Sequence, residues 1–339
     1  MKITTPSAVL LACIAFPAIA TAQNKIPVNP DNFVRAESDL YLSNVVKDGG
    51  LGKFVHRREP AAIDNQTVIR LNRDTLYSAA VFDLDAGPAT ITIPEVGKRF
   101  VSMQVINEDH YTPQVSHGSG SRTITRKNVG TRYAVVAVRT LVDPADPKDV
   151  TAAHAIQDGI SVKQKSVGKF EVPAWDAASQ KKVRDALLAL ASTLPDANRM
   201  FGTKAEVDPV RRLIGSASAW GGNPDKEAIY LNVTPPKNDG ATNYVLNVKD
   251  VPVNGFWSIS LYNGEGYYQK NDLNAYSLNN ITAAKDPDGS VTVRFGGCDG
   301  KVPNCLPIMK DWNYMVRLYR PKAEILSGRW KFPDARPAS

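Results

Sequence analysis

The stretch Asn72-Arg73-Asp74-Thr75-Leu76-Tyr77-Ser78 decides how the first half of the chain is read. Apolar runs flank it, Val68-Ile69-Arg70-Leu71 before and Ala79-Ala80-Val81-Phe82 after. A solvated loop is not flanked in that way. The expectation is a strand that enters the core and carries Asn, Arg and Asp with it. Burying such groups is costly unless each finds a partner. In a regular strand Asn72 and Asp74 share one face, and Arg73, Thr75 and Tyr77 share the other. Arg73 and Asp74 are then unable to pair with each other, so each must meet a group from elsewhere in the chain or a ligand. Asn72, Arg73, Asp74 and Tyr77 are therefore candidate ligand-binding residues. The rival role is a buried network that fixes the packing of sheets and touches no ligand.

Outward from this stretch, strands dominate Thr67 to Arg139: Leu76–Leu84, Ala89–Ile93, Arg99–Ile106 and Tyr133–Val138, parted by Pro and Gly turns as in a sandwich or barrel. Before them, Asp31 to Lys47 reads as a helix with Phe33, Ala36, Leu40 and Asn44 on one face, stopped by Gly49-Gly50. After them, Asp143-Pro144-Ala145-Asp146-Pro147 marks a change to helices. The first runs from Pro147 to Lys165. The second repeats Val183, Ala186, Leu187, Leu190, Ala191 and Leu194 at helical spacing. The third opens on Asp208-Pro209, an N-cap followed by Pro at the first helical position, and ends at Trp220-Gly221-Gly222. Strands return at Ala228–Val233, Tyr244–Val248 and Phe256–Tyr262, where Trp257, Ile259 and Leu261 read as core and Phe256, Ser258, Ser260 and Tyr262 as a half-polar face. Asp286-Pro287-Asp288-Gly289 predicts a hairpin between Ile281–Ala283 and Val291–Val293. Trp312–Tyr319 gives the last long strand. The fold class is mainly β with a helical insert (α+β).

Met1-Lys2, an apolar stretch from Ala8 to Ala20, and Ala20-Thr21-Ala22 before Gln23 form a signal-peptide pattern, with cleavage near Ala22. The expected location is the periplasm or outside the cell. Acylation at Cys13 is the second reading of the same segment. No later segment is apolar enough for a membrane span. The domain plan is then 1–22 signal peptide, 23–145 helix and first β unit, 146–225 helical insert, 226–339 second β unit. The net charge of +7 is scattered, with no Lys/Arg block of the kind that marks nucleic-acid binding. Cys298 and Cys305, six residues between them, are expected to form one disulfide in an oxidising compartment.

At several motifs the chain resembles known families. Asn72–Ser78, Asp83-Leu84 with Gly87-Pro88, and Asn107–Tyr111 resemble the bacterial "domain of unknown function" family 1254. Gly255–Asn263, Ala275–Asn280, Asp288–Gly297, Asn304–Pro307 and Val316–Lys322 resemble family 1214, which usually follows it. The resemblance implies two jelly-roll-like β-sandwich units with helices between or beside them. It implies no established activity.

The chemistry-bearing residues are few. Glu108-Asp109-His110 and His117 form the one cluster with metal-ligand character, with Glu108 and His110 on one strand face and His117 returning from the next turn. A hydrogen-bonded histidine is the commoner use, and no cofactor is expected. Gly-x-Ser-x-Gly is absent. Tyr262, opening the turn Tyr262–Tyr268, joins the ligand-binding candidates because aromatics in a turn are hard to explain by packing alone. The leading reading is a polar small molecule or glycan bound in a cleft between the β units. A hydrolase with Asp74 or Glu108 as base and His110 as its partner, and a structural or assembly protein, are the alternatives.

Overall fold

The computed structural model describes residues 25–66 and 69–338. The signal-peptide pattern and Cys13 fall outside these residues, as do Thr67 and Val68 of the opening run. The first half runs α1 (Phe33–Lys47), β1 (Val55–Arg57), β2 (Thr75–Asp83), β3 (Ala89–Ile93), β4 (Val101–Asn107), β5 (Gln114–His117), β6 (Gly120–Ile124), α2 (Arg126–Val129) and β7 (Tyr133–Leu141). The middle holds α3 (Pro147–Asp158), β8 (Ser161–Gln164), α4 (Ala177–Ala191) and α5 (Pro209–Ser218). The last third runs β9 (Ala228–Val233), β10 (Tyr244–Val248), β11 (Trp257–Tyr262), β12 (Ser277–Asn279), β13 (Val291–Phe295), β14 (Cys305–Leu306), β15 (Asn313–Tyr319), α6 (Ala323–Leu326) and β16 (Arg336–Pro337). The mainly β architecture with helices is the one expected. No helix among the described residues is long and apolar enough to cross a membrane.

Alternation of side chains builds two facing-sheet units. A five-stranded sheet, in the order β1-β2-β7-β4-β5, faces a three-stranded sheet, β6-β3-β8. Phe82, Ile91, Met103, Ile124 and Val136 fill the space between them. In the last third, β12-β11-β15-β9 faces β14-β13-β10-β16 around Trp257, Ile259, Leu246, Phe295 and Trp312. The expected core set of β11 is correct. Its other set, Phe256, Ser258, Ser260 and Tyr262, is fully buried as well, because it meets the first unit rather than water. Cys298 and Cys305 are bonded, at 2.06 Å.

Helices α1, α4 and α5 gather on the outer face of the five-stranded sheet, whereas Ile156 of α3 and Val129 of α2 enter the core between the two sheets. Leu42 of α1 meets Val81, Ile106, Tyr133 and Val135, while Phe33 and Ala36 meet Leu187 of α4 and Ile214 of α5. The expected α1 face is wrong at Leu40, which is 39% exposed, and at Asn44, which is exposed too. Glu37 takes the inward position instead, since Arg184 of α4 reaches both its oxygens, at 2.8 and 2.5 Å. An ion pair thus joins the buried apolar residues on the inward face of this helix.

Three local expectations need correction. The helix from Pro147 stops at Asp158, and Gly159 lies where an added Cβ would meet Pro94 Cγ at 2.8 Å. Ser161–Gln164 then pairs with β3 as an edge strand. The turn at Asp286–Gly289 forms, with Gly289 at φ +82°, but it closes no hairpin. Asn279 Oδ1 accepts from the N–H groups of Ile281 and Thr282, which ends β12 in a side-chain-capped turn, and β13 pairs with β10 and β14. The opening strand, finally, begins only at Thr75. Arg70 has φ +54°, and Asn72 Oδ1 accepts from Asp74 N–H at 3.0 Å. A polar side chain that satisfies its own backbone in a turn displaces the strand ladder there.

Candidate functional site

The outer faces of two sheets form the walls of a cleft. From the first unit, Tyr77 of β2 and Arg139 of β7 stand side by side, since Tyr77 is the register partner of Arg139. The Arg139 guanidinium lies 5.6 Å from the centre of the Tyr77 ring. From the second unit come Tyr230 of β9 and Met315, Arg317 and Tyr319 of β15. Phe201 and the segment Ala219–Asn223 after α5 close one side, and Arg70-Leu71-Asn72 close another. The cleft opens to solvent and has a volume of about 320 Å³, at the small end of the range of about 300–1,000 Å³ usual for small-molecule sites.

Hydrogen bonds fix the polar part of the walls, and ring stacking holds the rest: Trp220 on Tyr41 and Tyr319 on Phe256, with centres 4.5 and 4.2 Å apart. Arg139 donates to Gln104 Oε1 at 2.7 Å and to the Gly221 carbonyl at 3.0 Å. Gln104 donates in turn to the Gly222 carbonyl at 2.9 Å. Two strands of the first sheet thereby fix the segment after α5. Arg317 is 2% exposed and donates to Ser260, to Tyr262 OH and to the Arg70 carbonyl, each at 2.8 Å. Asn72 joins the two units: its amide nitrogen lies 3.1 Å from Thr75 Oγ1 and from Tyr77 OH, and 3.3 Å from Tyr319 OH. Burial would raise the Tyr77 phenol, but Arg139 and the hydrogen bonds from Asn72 and Thr75 bring it below its usual value.

The structure sorts the expected ligand-binding residues into two groups. Asn72 and Tyr77 line the cleft; Arg73, Asp74 and Tyr262 do not. Asn72 lies on the side of Thr75 and Tyr77, against the strand alternation, because the turn replaces the strand there. Arg73 points to the rear, where its guanidinium lies 5.5 Å from the Tyr276 ring centre and donates to the Ala61 carbonyl. Asp74, 2% exposed, sits at the seam, and its Oδ2 has no hydrogen-bond partner. Burial raises its pKa, opposed by Arg317 and by Ser258 and Asn279, which lie near without aligning on Oδ2. As expected, Arg73 and Asp74 do not pair with each other. Tyr262 is fully buried behind the wall and donates to the Leu71 carbonyl at 2.8 Å. Its turn is closed by Asn263 and Gly266.

The metal and catalytic candidates separate. Glu108 accepts from Arg35 at 2.9 Å and from Tyr133 N–H at 2.8 Å. His110 Nε2 accepts from Gly221 N–H at 2.9 Å, so Nδ1 carries the proton. Burial, with Arg212 adding, lowers the His110 pKa to about 3. His117 Nε2 lies 2.6 Å from Glu227 of the second unit. No group of three or more His, Cys, Asp or Glu among the described residues is placed to hold a metal ion. Reasoning from sequence missed Arg70, Arg139, Tyr230, Arg317 and Tyr319. For Arg139 and Arg317 the available signal was an arginine inside a largely apolar strand, Val135–Leu141 and Tyr314–Tyr319.

Comparison with known proteins adds the family and the fold. Residues 51–128 match the model for "Protein of unknown function (DUF1254)" and residues 229–323 that for "Protein of unknown function (DUF1214)". No curated protein matches. The VPA0106 protein from Vibrio parahaemolyticus has a similar structure, with TM-score 0.67 and 18% identity over 90% of this chain and 96% of that one. An uncharacterised protein from Burkholderia cenocepacia follows, with TM-score 0.50 and 14% identity over 92% and 91%. These likenesses extend over both β units and speak to the fold alone. The chain thus pairs an N-terminal DUF1254 region with a C-terminal DUF1214 region.

Proposed function

We propose that this protein, exported to the periplasm or beyond the cell, binds a polar small molecule or glycan in the cleft between its β units. One observation carries the reading: a 320 Å³ cavity is lined by both sheets and by the segment after α5 together. A site at the junction of units, with aromatic walls and a few fixed polar groups, is the usual form of a small-molecule site. Asn72 and Tyr77 would contact the ligand. Arg73, Asp74 and Tyr262 would support the wall from behind. The hydrolase alternative lacks a contact to build on, since His110 is bonded to Gly221 and Glu108 to Arg35 and Tyr133.

The test is a melting-temperature screen of the purified protein against mono- and disaccharides and small polar metabolites, charged and neutral. A ligand of the folded state raises the melting temperature with its concentration. The effect should vanish in Ala197→Trp, which fills the cleft from its helical side. If no member of the panel stabilises the protein, or the blocked variant responds like the parent, the cleft is architectural.

A further inference from the structure

The cleft carries a charge that its lining does not balance: the buried Asp74 attracts Arg317 from behind the wall, and Arg70 and Arg139 are left without an acid. Arg70, Arg139 and Arg317 line it, and no aspartate or glutamate does. Elsewhere several half-buried arginines pair with acids, Arg99 with Asp149, Arg132 with Asp83, Arg184 with Glu37 and Arg35 with Glu108, while Arg73 and Arg212 meet only rings and carbonyls. Among the described residues none of the three cleft arginines forms an ion pair. Arg139 is 7% exposed, yet its two hydrogen-bond acceptors are a neutral amide and a carbonyl. Arg70 reaches a neutral amide too, Asn313 Oδ1, at 2.9 Å. A guanidinium offers five N–H groups, so both retain donors to spare. A buried cation without a counter-ion is unfavourable, and an anion in the cleft would remove that cost.

The remaining surface narrows the class of anion. Phosphate sites commonly use a nest of free backbone N–H groups. Here the two glycines that could form such a nest are occupied: Gly221 N–H donates to His110 and Gly222 N–H to the Ala219 carbonyl at 3.0 Å. The cleft also carries apolar surface from Phe201, Trp220 and Met315, with Met315 beside Arg317 on β15. A planar guanidinium fork matches a carboxylate, and an aromatic wall suits a flat apolar body. We propose that the cleft takes a small organic acid, its carboxylate toward Arg139 and Arg70 and its aromatic or apolar body against Trp220, Phe201 and Met315. This rests on the reading of the cleft as a small-molecule site and names the class of ligand.

The experiment titrates the purified protein, at low ionic strength, with benzoate, phenylacetate and phenyl phosphate. The neutral partners are benzamide, phenylacetamide and a disaccharide. Calorimetry and melting curves give the affinities. The carboxylates should bind about tenfold or more tighter than their amides, as expected for a charge-assisted hydrogen bond. Added salt should weaken them. Arg139→Gln should lose the same factor. If that variant does not fold, Arg70→Gln, at a half-buried position, should show a smaller loss of the same sign. Amides that bind as well as acids, or arginine variants that bind acids unchanged, overturn the assignment and leave the cleft itself standing. Phenyl phosphate binding ahead of both carboxylates moves the ligand to a phosphate and overturns it as well. If no acid binds while the disaccharide does, the anion is wrong. If nothing binds at all, the cleft reading falls with it.

Discussion

Arg73 and Asp74 are neighbours in the chain that answer to different partners. Arg73 has lost solvent but faces a ring and a carbonyl, so removing it strands no opposite charge. Arg73→Ala should therefore cost about 1–2 kcal/mol, the worth of one cation–π contact and one hydrogen bond, and well short of the 3–5 kcal/mol or so that breaking a buried ion pair costs. Asp74→Asn removes a carboxylate that burial already disfavours, and a cooperative melt within a few degrees of the parent is expected. Collapse of the fold in that variant would make the Asp74 charge essential to the seam. Asp39 offers a cleaner titration. Burial first, with Glu108 and Asp109 adding and Trp175 and Arg35 opposing, raises its pKa to about 6. A carboxyl raised in the folded state stabilises fully below its unfolded pKa and loses that contribution as pH climbs through the folded value. Parent stability relative to Asp39→Asn should fall by on the order of 2–3 kcal/mol between pH 4 and 7. Urea melts at both pH values measure this, and a pH-independent difference would remove the effect. At this scale the sequence was legible where a residue broke its surroundings: a polar triplet with two charges between apolar runs had to be special. It did not tell which way each side chain turned, because the Asx turn at Asn72 reverses the alternation that a strand would impose.

Elements were legible where local chemistry is self-sufficient. Helix α5 begins at Asp208-Pro209 as expected, and the Asp208 side chain accepts from the N–H groups of Val210 and Arg211, both at 3.0 Å. Asp208→Ala should cost about 1 kcal/mol, read as a shift in the chemical-denaturation midpoint with an unchanged slope. An unaltered midpoint would show the cap to be redundant with the packing of Ile214. Elements were less legible where a distant partner decides. Nothing local says that residues 161–164 are wanted by β3, or that residues 281–283 will be refused by β13. The helical repeat in α4 was real, yet Leu190 is 51% exposed while Leu187 is buried, because α1 and α5 cover only part of that stripe.

For the molecule as a whole, the two β units are joined by a shared interior. Phe100 of the first unit meets Phe256 and Tyr319 of the second, with ring centres 5.1 and 5.6 Å apart. Arg317 of the second donates to the carbonyl of Arg70 before β2. Units joined by buried aromatics and buried charge should unfold together, so calorimetry should record one transition. Phe256→Ala should cost about 3–5 kcal/mol without splitting it. Two separated transitions in the parent would show units that merely touch. This level was the least legible, since the half-polar face of β11 announced a partner surface and did not say which. The edge strand β8 has a practical consequence for anyone dividing the gene. The sharp change of composition at Asp143–Pro147 invites a cut there, but a fragment ending at residue 145 leaves β3 with β6 alone and exposes the Ala89–Thr92 backbone along an open sheet edge on the side of β8. Such a fragment would recruit a second copy of itself or an unrelated strand. Split reporters, circular permutants and domain-swapped chimaeras should therefore keep residues through Gln164 with the first unit.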